Sequence, residues 1–386
     1  MKVLWLASWY PSMVNTSKGT FVQDYAQATA LLCKIDVIHV EAVPPGALDH
    51  DFFLEQKQKG SFSETTVLYR KPALPVIGQI ISYRKNLNLF KRQIHKYIAK
   101  NGKPDIVHVH IAMKAGLAAL WMKKKFRINY VVSEQSSVFT ANTKKAYKHK
   151  NILFRNLTEK IFKHASLVLP ASKIVGEAIN AITPVRFTVI YNCVNTDHFF
   201  YDTSFEDKDF TFIHVSTLDN NKNPGDIIQA FIYFNQQYPD SRLVVVGLVT
   251  RELSRYLSRL TYSTSIIRFT GYVPHKEVAL LMQQSNCLVL FSREENIPNV
   301  IPEAFCCGLP VISSDVGEIH EIINKNNGLL VAEYTPESLL ESMIKMYTDY
   351  RLYNRKKIAD EAKANFASEV IAKEILNKYK EVLNIS

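Results

Sequence analysis

The stretch "EENIPNVIPEAFCCGLPVISS", residues 294–314, holds two carboxylates eight positions apart, Glu295 and Glu303. An ionised carboxylate accepts several O–H or N–H hydrogen bonds at once, so such a pair can fix a polar ligand. Asn299 is a good N-cap residue, and Pro302 is tolerated only in a first helical turn. Gly308 suits the position just past a helix, and Pro310 prevents its continuation. The spacing therefore predicts a short helix over roughly residues 299–307, following the apolar strand "CLVLFS". Glu295 then lies in the strand-to-helix loop and Glu303 about one turn in. Both can point into one site at the strand ends. The plainer alternative has Glu303 stabilising the helix dipole and Glu295 solvated in its loop.

Such a site needs strands and helices to place it, and the chain is rich in both. The runs "KVLWLAS", "KIDVIHV", "DIVHVH", "NYVVSE" and "SLVLPAS" read as strands in the first half. The second half supplies "FTFIHVSTL", "SRLVVVGL", "IIRFTGY", "CLVLFS", "PVISSD" and "GLLVA". Amphipathic helical patterns separate them, near 20–32, 82–101, 115–124 and 151–163, then 224–237, 250–260, 275–284 and 336–349. Repeated β-α units with apolar strands imply parallel sheets covered on both faces. The expected fold class is α/β, with two doubly wound, Rossmann-like domains facing a cleft, because ligands bind beyond the C-terminal strand ends. The turn-rich, then acidic stretch 189–210 marks the junction, giving domains of 1–195 and 196–364. The amphipathic segment 365–386 can pack on either domain.

Composition narrows the class. The chain has 386 residues, 47% hydrophobic and 22% charged, a normal soluble balance. No apolar run approaches the roughly 18 residues of a membrane span. The opening "MKVLWLASWYPS" reads as a buried first strand, its apolar run ended by Pro11. The five cysteines form no CxxC pair, which points to a reduced, cytoplasmic chain without a zinc site. Residues 1–200 carry 28 Lys+Arg against 12 Asp+Glu, and the remainder 19 against 24. A basic half joined to an acidic half suggests that one domain faces an anionic surface. No nucleic-acid motif accompanies that charge. The segment 82–100 sets Leu87, Phe90, Ile94 and Ile98 at helical spacing among basic residues, and "MKKKFR" and "TKKAYKHK" add more. It reads either as a membrane-surface helix or as a solvated helix whose apolar face enters the core.

The motif around the two glutamates resembles the donor-binding signature of the family-4 retaining glycosyltransferases, the glycosyl transferases group 1 of the GT-B fold. That pattern is E-x7-E followed by A-x-x-x-G-x-P-V-I, here Glu295, Glu303, Ala304, Gly308, Pro310, Val311 and Ile312, with "NNGLLV" downstream. The resemblance extends more weakly over nearly the whole chain. It implies that Glu303 holds the ribose hydroxyls of a nucleotide sugar and Glu295 the transferred sugar, with Asn299 and Val300 beside them. In "VSTLDNNKN", Leu218 and Lys222 match the family, and Lys222 would neutralise the donor diphosphate. Thr217 stands where the family has arginine and can give only a neutral hydrogen bond. "FTGYVP" resembles the segment that touches the base, through backbone near Val273. "WYPSMVNTSKGTF" occupies the place of a Gly-rich loop near the diphosphate, where Gly19 remains, assisted by Lys18. His110, at the end of "DIVHVH", resembles the family's strand-end histidines, and Gln135 replaces a histidine near the transferred sugar. Ser172, Asn192 and Asp197 match positions that are structural in the family.

The resemblance implies a metal-independent hexosyltransferase with no cofactor, the nucleoside-diphosphate sugar being its substrate. The acidic half would bind the donor. The basic half would bind a glycan or lipid-linked acceptor at the inner face of a membrane. The implied reaction is a front-face substitution in which a donor phosphate oxygen helps deprotonate the acceptor. A nucleotide-sugar 2-epimerase-like isomerase and a non-catalytic sugar-nucleotide-binding subunit stay open, the latter motivated by Thr217 and Gln135.

Overall fold

The structure is a computed structural model that describes residues 1–16, 18–71, 77–140, 146–205, 209–260, 263 and 265–385. Residues 143–145 of the basic run and 206–208 of the acidic junction lie outside the described residues. The chain divides into two compact units, residues 1–193 with 368–386, and residues 194–367.

The N-terminal unit contains β1 (Lys2–Ala7), α1 (Thr20–Ala30), β2 (Lys34–Val43), β3 (Phe52–Lys59), β4 (Phe62–Arg70), α2 (Ile77–Asn101), β5 (Ile106–His110), α3 (Ala115–Phe126), β6 (Tyr130–Glu134), α4 (Ile152–His164), β7 (Leu167–Pro170) and α5 (Lys173–Ile182). Its sheet runs β3-β4-β2-β1-β5-β6-β7. The opening strand is thus central, and alternate residues feed two cores. Leu4 and Leu6 pack under α2 to α5, while Val3, Trp5 and Ala7 pack under α1 and the terminal helix. Burial on both faces is why these strands read as unbroken apolar runs. Ser172 caps α5 by accepting from Val175 N at 3.4 Å.

One expectation needs correction in this unit, and one pair of open readings is decided. The sheet is not wholly parallel, because β3 pairs antiparallel with β4 in an edge hairpin turned at Gly60. The apolar stripe of α2 is not a membrane face: Phe90 and Ile94 are fully buried, and Leu87 and Ile98 pack against the same core. Core packing of that stripe leaves Arg84, Lys85, Arg92 and Lys96 outward, with Ile81 exposed nearer the helix start.

The C-terminal unit contains β8 (Phe210–Val215), α6 (Pro224–Gln237), β9 (Ser241–Val246), α7 (Arg251–Leu257), β10 (Ile267–Gly271), α8 (His275–Gln283), β11 (Cys287–Leu290), α9 (Val300–Cys306), β12 (Val311–Ser314), β13 (Gly328–Val331), α10 (Pro336–Asp349) and α11 (Arg355–Phe366). All six strands are parallel, in the order β10-β9-β8-β11-β12-β13. The chain then returns through α12 (Ser368–Leu383), which packs on α1 of the N-terminal unit. Its Tyr379 hydroxyl meets His108 Nδ1 at 2.6 Å.

Candidate active site

In each sheet the strand order reverses once: between β1 and β5 in the N-terminal unit, and between β8 and β11 in the C-terminal unit. Loops leaving neighbouring strands diverge at such a switch point and open a crevice at the strand ends. The sequence-predicted residues fall on the loops and helix starts that follow these strands.

In the C-terminal unit, β8 leads into a loop carrying Thr217 and Lys222, and β11 into the loop carrying Glu295. The Lys222 ammonium contacts the Glu295 carboxylate. The loops are zipped together by Asn221, which the sequence reading missed. Its amide donates to Glu294 O at 2.9 Å, its side-chain oxygen accepts from Glu294 N at 3.0 Å, and its own carbonyl accepts from Arg293 N at 2.8 Å. His214 fixes the base of the first loop. Its Nδ1–H donates to Val289 O on β11 at 2.8 Å, which leaves Nε2 to accept from the Ser216 hydroxyl at 2.8 Å. Ser216 Oγ in turn accepts from Leu218 N, and Leu218 takes a left-handed φ of 52°. Burial pushes the His214 pKa down to about 4, keeping the ring neutral for this role.

The opposite side of the Glu295 loop rests on Gly317, whose φ is 63° and where an added Cβ would strike Glu295 O. Only glycine fits there.

Glu303 lies in the first turn of α9 and is buried. Its Oε1 meets His275 Nε2, at the start of α8, at 2.9 Å. Sequence reasoning missed His275, although the histidine directly follows "FTGYVP"; Val273 lies two residues before it, half-buried between β10 and α8. Val300 begins α9. Asn299 holds the N-cap position but in helical geometry, φ −55°, and its side chain makes no cap hydrogen bond, contrary to expectation. Its carbonyl accepts from Glu303 N at 3.1 Å. The helix ends as expected: Leu309 N donates to Ala304 O at 2.9 Å around Gly308. Thr217 is exposed, and its hydroxyl donates to Asp219 at 2.8 Å, so it serves its own loop.

In the N-terminal unit, Gly19 precedes α1 at φ 75°, where a Cβ would lie 2.6 Å from Trp9 C. The β1–α1 loop therefore folds back on itself only with glycine there. Gln135 follows β6, half-buried, with its side-chain oxygen unpaired among the described residues. His110 differs from the expected sugar-side residue. It is fully buried, packed between Trp5 and His108 with ring centroids at 4.1 and 4.0 Å, and presents no surface to a sugar. His108 is likewise internal, bonded to Tyr379 and Ser133, and burial lowers its pKa to about 3. Glu134, beside Gln135, is also buried. Its two oxygens accept from Ala112 N at 2.8 Å and Ser136 N at 2.9 Å, and burial raises its pKa to about 7.

Two family models cover the chain in tandem. Residues 20–198 match Glycosyltransferase Family 4 and residues 196–364 match Glycosyl transferases group 1. The chain belongs to the group 1 glycosyltransferases. Among related proteins is the putative teichuronic acid biosynthesis glycosyltransferase TuaC of Bacillus subtilis, 22% identical over 409 residues and spanning all of both chains. The alpha-monoglucosyldiacylglycerol synthase of Acholeplasma laidlawii is 24% identical, over 69% of this chain and 72% of its own. The fold is that of sucrose-phosphate synthase from Thermosynechococcus elongatus, with a TM-score of 0.74, 18% identity and full coverage of both chains. It also matches Anabaena HepE solved in complex with UDP-glucose, with a TM-score of 0.70, 17% identity, and 99% and 100% coverage. This group 1 glycosyltransferase is therefore an enzyme of the GT-B fold, acting on a sugar donor.

Proposed function

We propose that the enzyme is a retaining hexosyltransferase. It takes its sugar from a nucleoside diphosphate and passes it to a hydroxyl of a lipid-linked or surface-polysaccharide intermediate. The observation that carries this reading is the pairing of Lys222 with Glu295 across the β8/β11 switch point, with Glu303 eight residues further on in the first turn of α9. Glu303, steadied by His275, would accept the ribose hydroxyls. Glu295 would hold the transferred sugar. Lys222 would meet the charge that grows on the departing diphosphate, the step at which a fixed cation lowers the barrier most. Gly19 would shape a phosphate-facing loop in the N-terminal unit. Asn299, Val300 and the backbone at Val273 would line the nucleotide side, and Gln135 the acceptor side. No metal or cofactor enters this scheme, and the donor's own phosphate oxygen assists deprotonation of the acceptor.

The relatives named for teichuronic acid biosynthesis and for a glucosylated diacylglycerol support a polysaccharide or lipid acceptor. The outward charge of the N-terminal unit supports peripheral contact with an anionic membrane. Arg84, Lys85, Arg92 and Lys96 are exposed on α2, as are Lys124 and Arg127 at the end of α3. No helix among the described residues is long and apolar enough to cross a membrane. Attachment would thus be electrostatic.

Calorimetric titration with UDP, GDP, ADP and CDP tests the assignment. Glu303→Ala should weaken the preferred nucleotide at least tenfold, whereas Glu295→Ala should keep it and lose transfer. Normal activity in both variants would overturn the site.

A further inference from the structure

A half-buried cation without a contact partner among the described residues stands just past β5 in the N-terminal unit. Lys114 follows β5 and immediately precedes α3, and among the described residues its ammonium makes no hydrogen bond and no ion pair. The loop presenting it is strained: Ile111 sits at φ 63° and Lys114 at φ 74°, ψ −69°. Such geometry costs on the order of 1–3 kcal/mol per residue and persists only where the surroundings over-determine it.

Two buried polar side chains supply that fastening. The Ser8 hydroxyl donates to Ile111 O at 2.8 Å, also contacts Met113 O, and accepts from Ala115 N at 3.1 Å. Glu134 takes Ala112 N. The fold thus spends two internal groups to hold an unpaired ammonium at the strand ends.

The surrounding charge is positive. Lys71 follows β4, further along the same sheet beyond β1 and β2, its N–H donating to Val43 O at 2.9 Å, and its side chain also has no ion-pair partner among the described residues. Lys18 is already paired with Glu41 at 2.5 Å, and Glu41 also meets His39 at 3.4 Å. Burial first, then Lys18 and Lys71, hold the Lys114 amine below the usual lysine range, with Glu41 opposing them. One carboxylate, Glu41, therefore faces Lys18, Lys114 and His39.

We propose that Lys114 and Lys71 form a receiving site for an anionic group, a carboxylate or a phosphate, carried by the acceptor. The inference rests on the reading that the N-terminal unit takes the acceptor, and it names the acceptor's class: an acidic sugar or sugar phosphate rather than a neutral glycan. A desolvated ammonium pays little further dehydration to meet an anion, and fastening of its loop lowers the ordering cost on binding.

The test titrates the full chain with glucuronate, glucose 6-phosphate and glucose, followed by ligand-observed NMR. Both anions should bind the wild-type protein about tenfold or more tightly than glucose, in line with a charge-assisted contact. Lys114→Gln should bring all three to the same weak affinity, Lys71→Gln should do so in part, and Lys114→Arg should retain the preference. Circular dichroism and melting check that each variant is folded. Equal binding of glucose and the anions, or an unchanged preference in a folded Lys114→Gln protein, would overturn the proposal. Loss of nucleoside-diphosphate affinity in Lys114→Gln with the sugar preference intact would reassign the site to the donor, and so also overturns it. If no nucleotide binds and Glu303→Ala changes nothing, the transferase site assignment fails separately from this one.

Discussion

Glu295 and Lys222 occupy each other when no donor is bound, which makes the Glu295→Gln variant informative. The two side chains are 11% and 20% exposed, so the pair is neither a weak surface bridge nor a fully buried one. Between those limits, the contact is worth about 1 to 2 kcal/mol. A nucleoside diphosphate that recruits Lys222 must first give up that energy. Glu295→Gln removes the competing charge while keeping size and loop contacts, because the Asn221 zipper engages the backbone of Glu294 and Arg293 rather than the Glu295 side chain. The preferred free nucleoside diphosphate should therefore bind the variant more tightly, by about five- to thirtyfold at 1.4 kcal/mol per factor of ten. Transfer should fall, because the sugar contact is lost. Calorimetry with the sugar-free nucleotide isolates the first effect, and nucleotide release from the intact donor measures the second. Equal or weaker nucleotide binding by Glu295→Gln would refute the idea that Lys222 is the diphosphate cation held in reserve.

Other consequences are checked more briefly. His275→Ala should weaken nucleotide binding less than Glu303→Ala but in the same direction, since it acts only by steadying that carboxylate; an unchanged affinity would remove His275 from the site. Gly317→Ala should lower the melting temperature and abolish transfer together, because the new methyl group, on a residue held at a left-handed φ, would strike the Glu295 carbonyl. Thr217→Arg, which restores the family's second cation, should tighten diphosphate binding in a direct titration; weaker binding would show that the hydrogen bond to Asp219 matters more than charge. The buried histidines set the acid limit of stability. His214 and His108 have folded pKa values of about 4 and about 3, below the ordinary 6.5, so their contribution is complete above pH 6.5 and is lost as pH falls through the window below it. For His214 alone this amounts to about 3 kcal/mol. Glu134, raised to about 7, acts with the opposite sign, losing stability as pH rises from about 4.5. The two histidines outweigh it, so the melting temperature should drop between pH 6.5 and 4.5; a flat profile there would contradict the burial argument.

The sequence carried the strands of the C-terminal unit well, because most are short apolar runs, buried at every position in β11 and β12. The edge hairpin escaped notice because β3 is mostly solvent-exposed, and "FFLEQKQK" offers no apolar face to recognise. The helix α11 was hidden similarly, its few buried positions scattered among lysines and acids. At the site, the spacing of Glu295 and Glu303 and the turn at Gly308 were local features and therefore legible. The contact between Lys222 and Glu295 was not, since 73 residues separate them and only the adjacency of β8 and β11 brings them together. Asn221 and His275 were missed for the same reason. His110 was misjudged because strand position alone does not tell which face of a sheet a helix covers. Lys114 gave no signal at all: its significance lies in a strained loop held by Ser8 and Glu134, both distant in sequence.

The central claim is retaining transfer from a nucleoside-diphosphate sugar. Proton NMR of the anomeric signal tests it most directly, with the pure protein, a panel of nucleotide sugars, and membrane lipid extract added or withheld. The account predicts that one donor releases its nucleoside diphosphate and that the sugar appears in the product with the donor's anomeric configuration, the reaction being lost in Glu295→Ala. A product of inverted configuration, a free 2-epimer, or no nucleotide release from any donor with lipid extract present would contradict it.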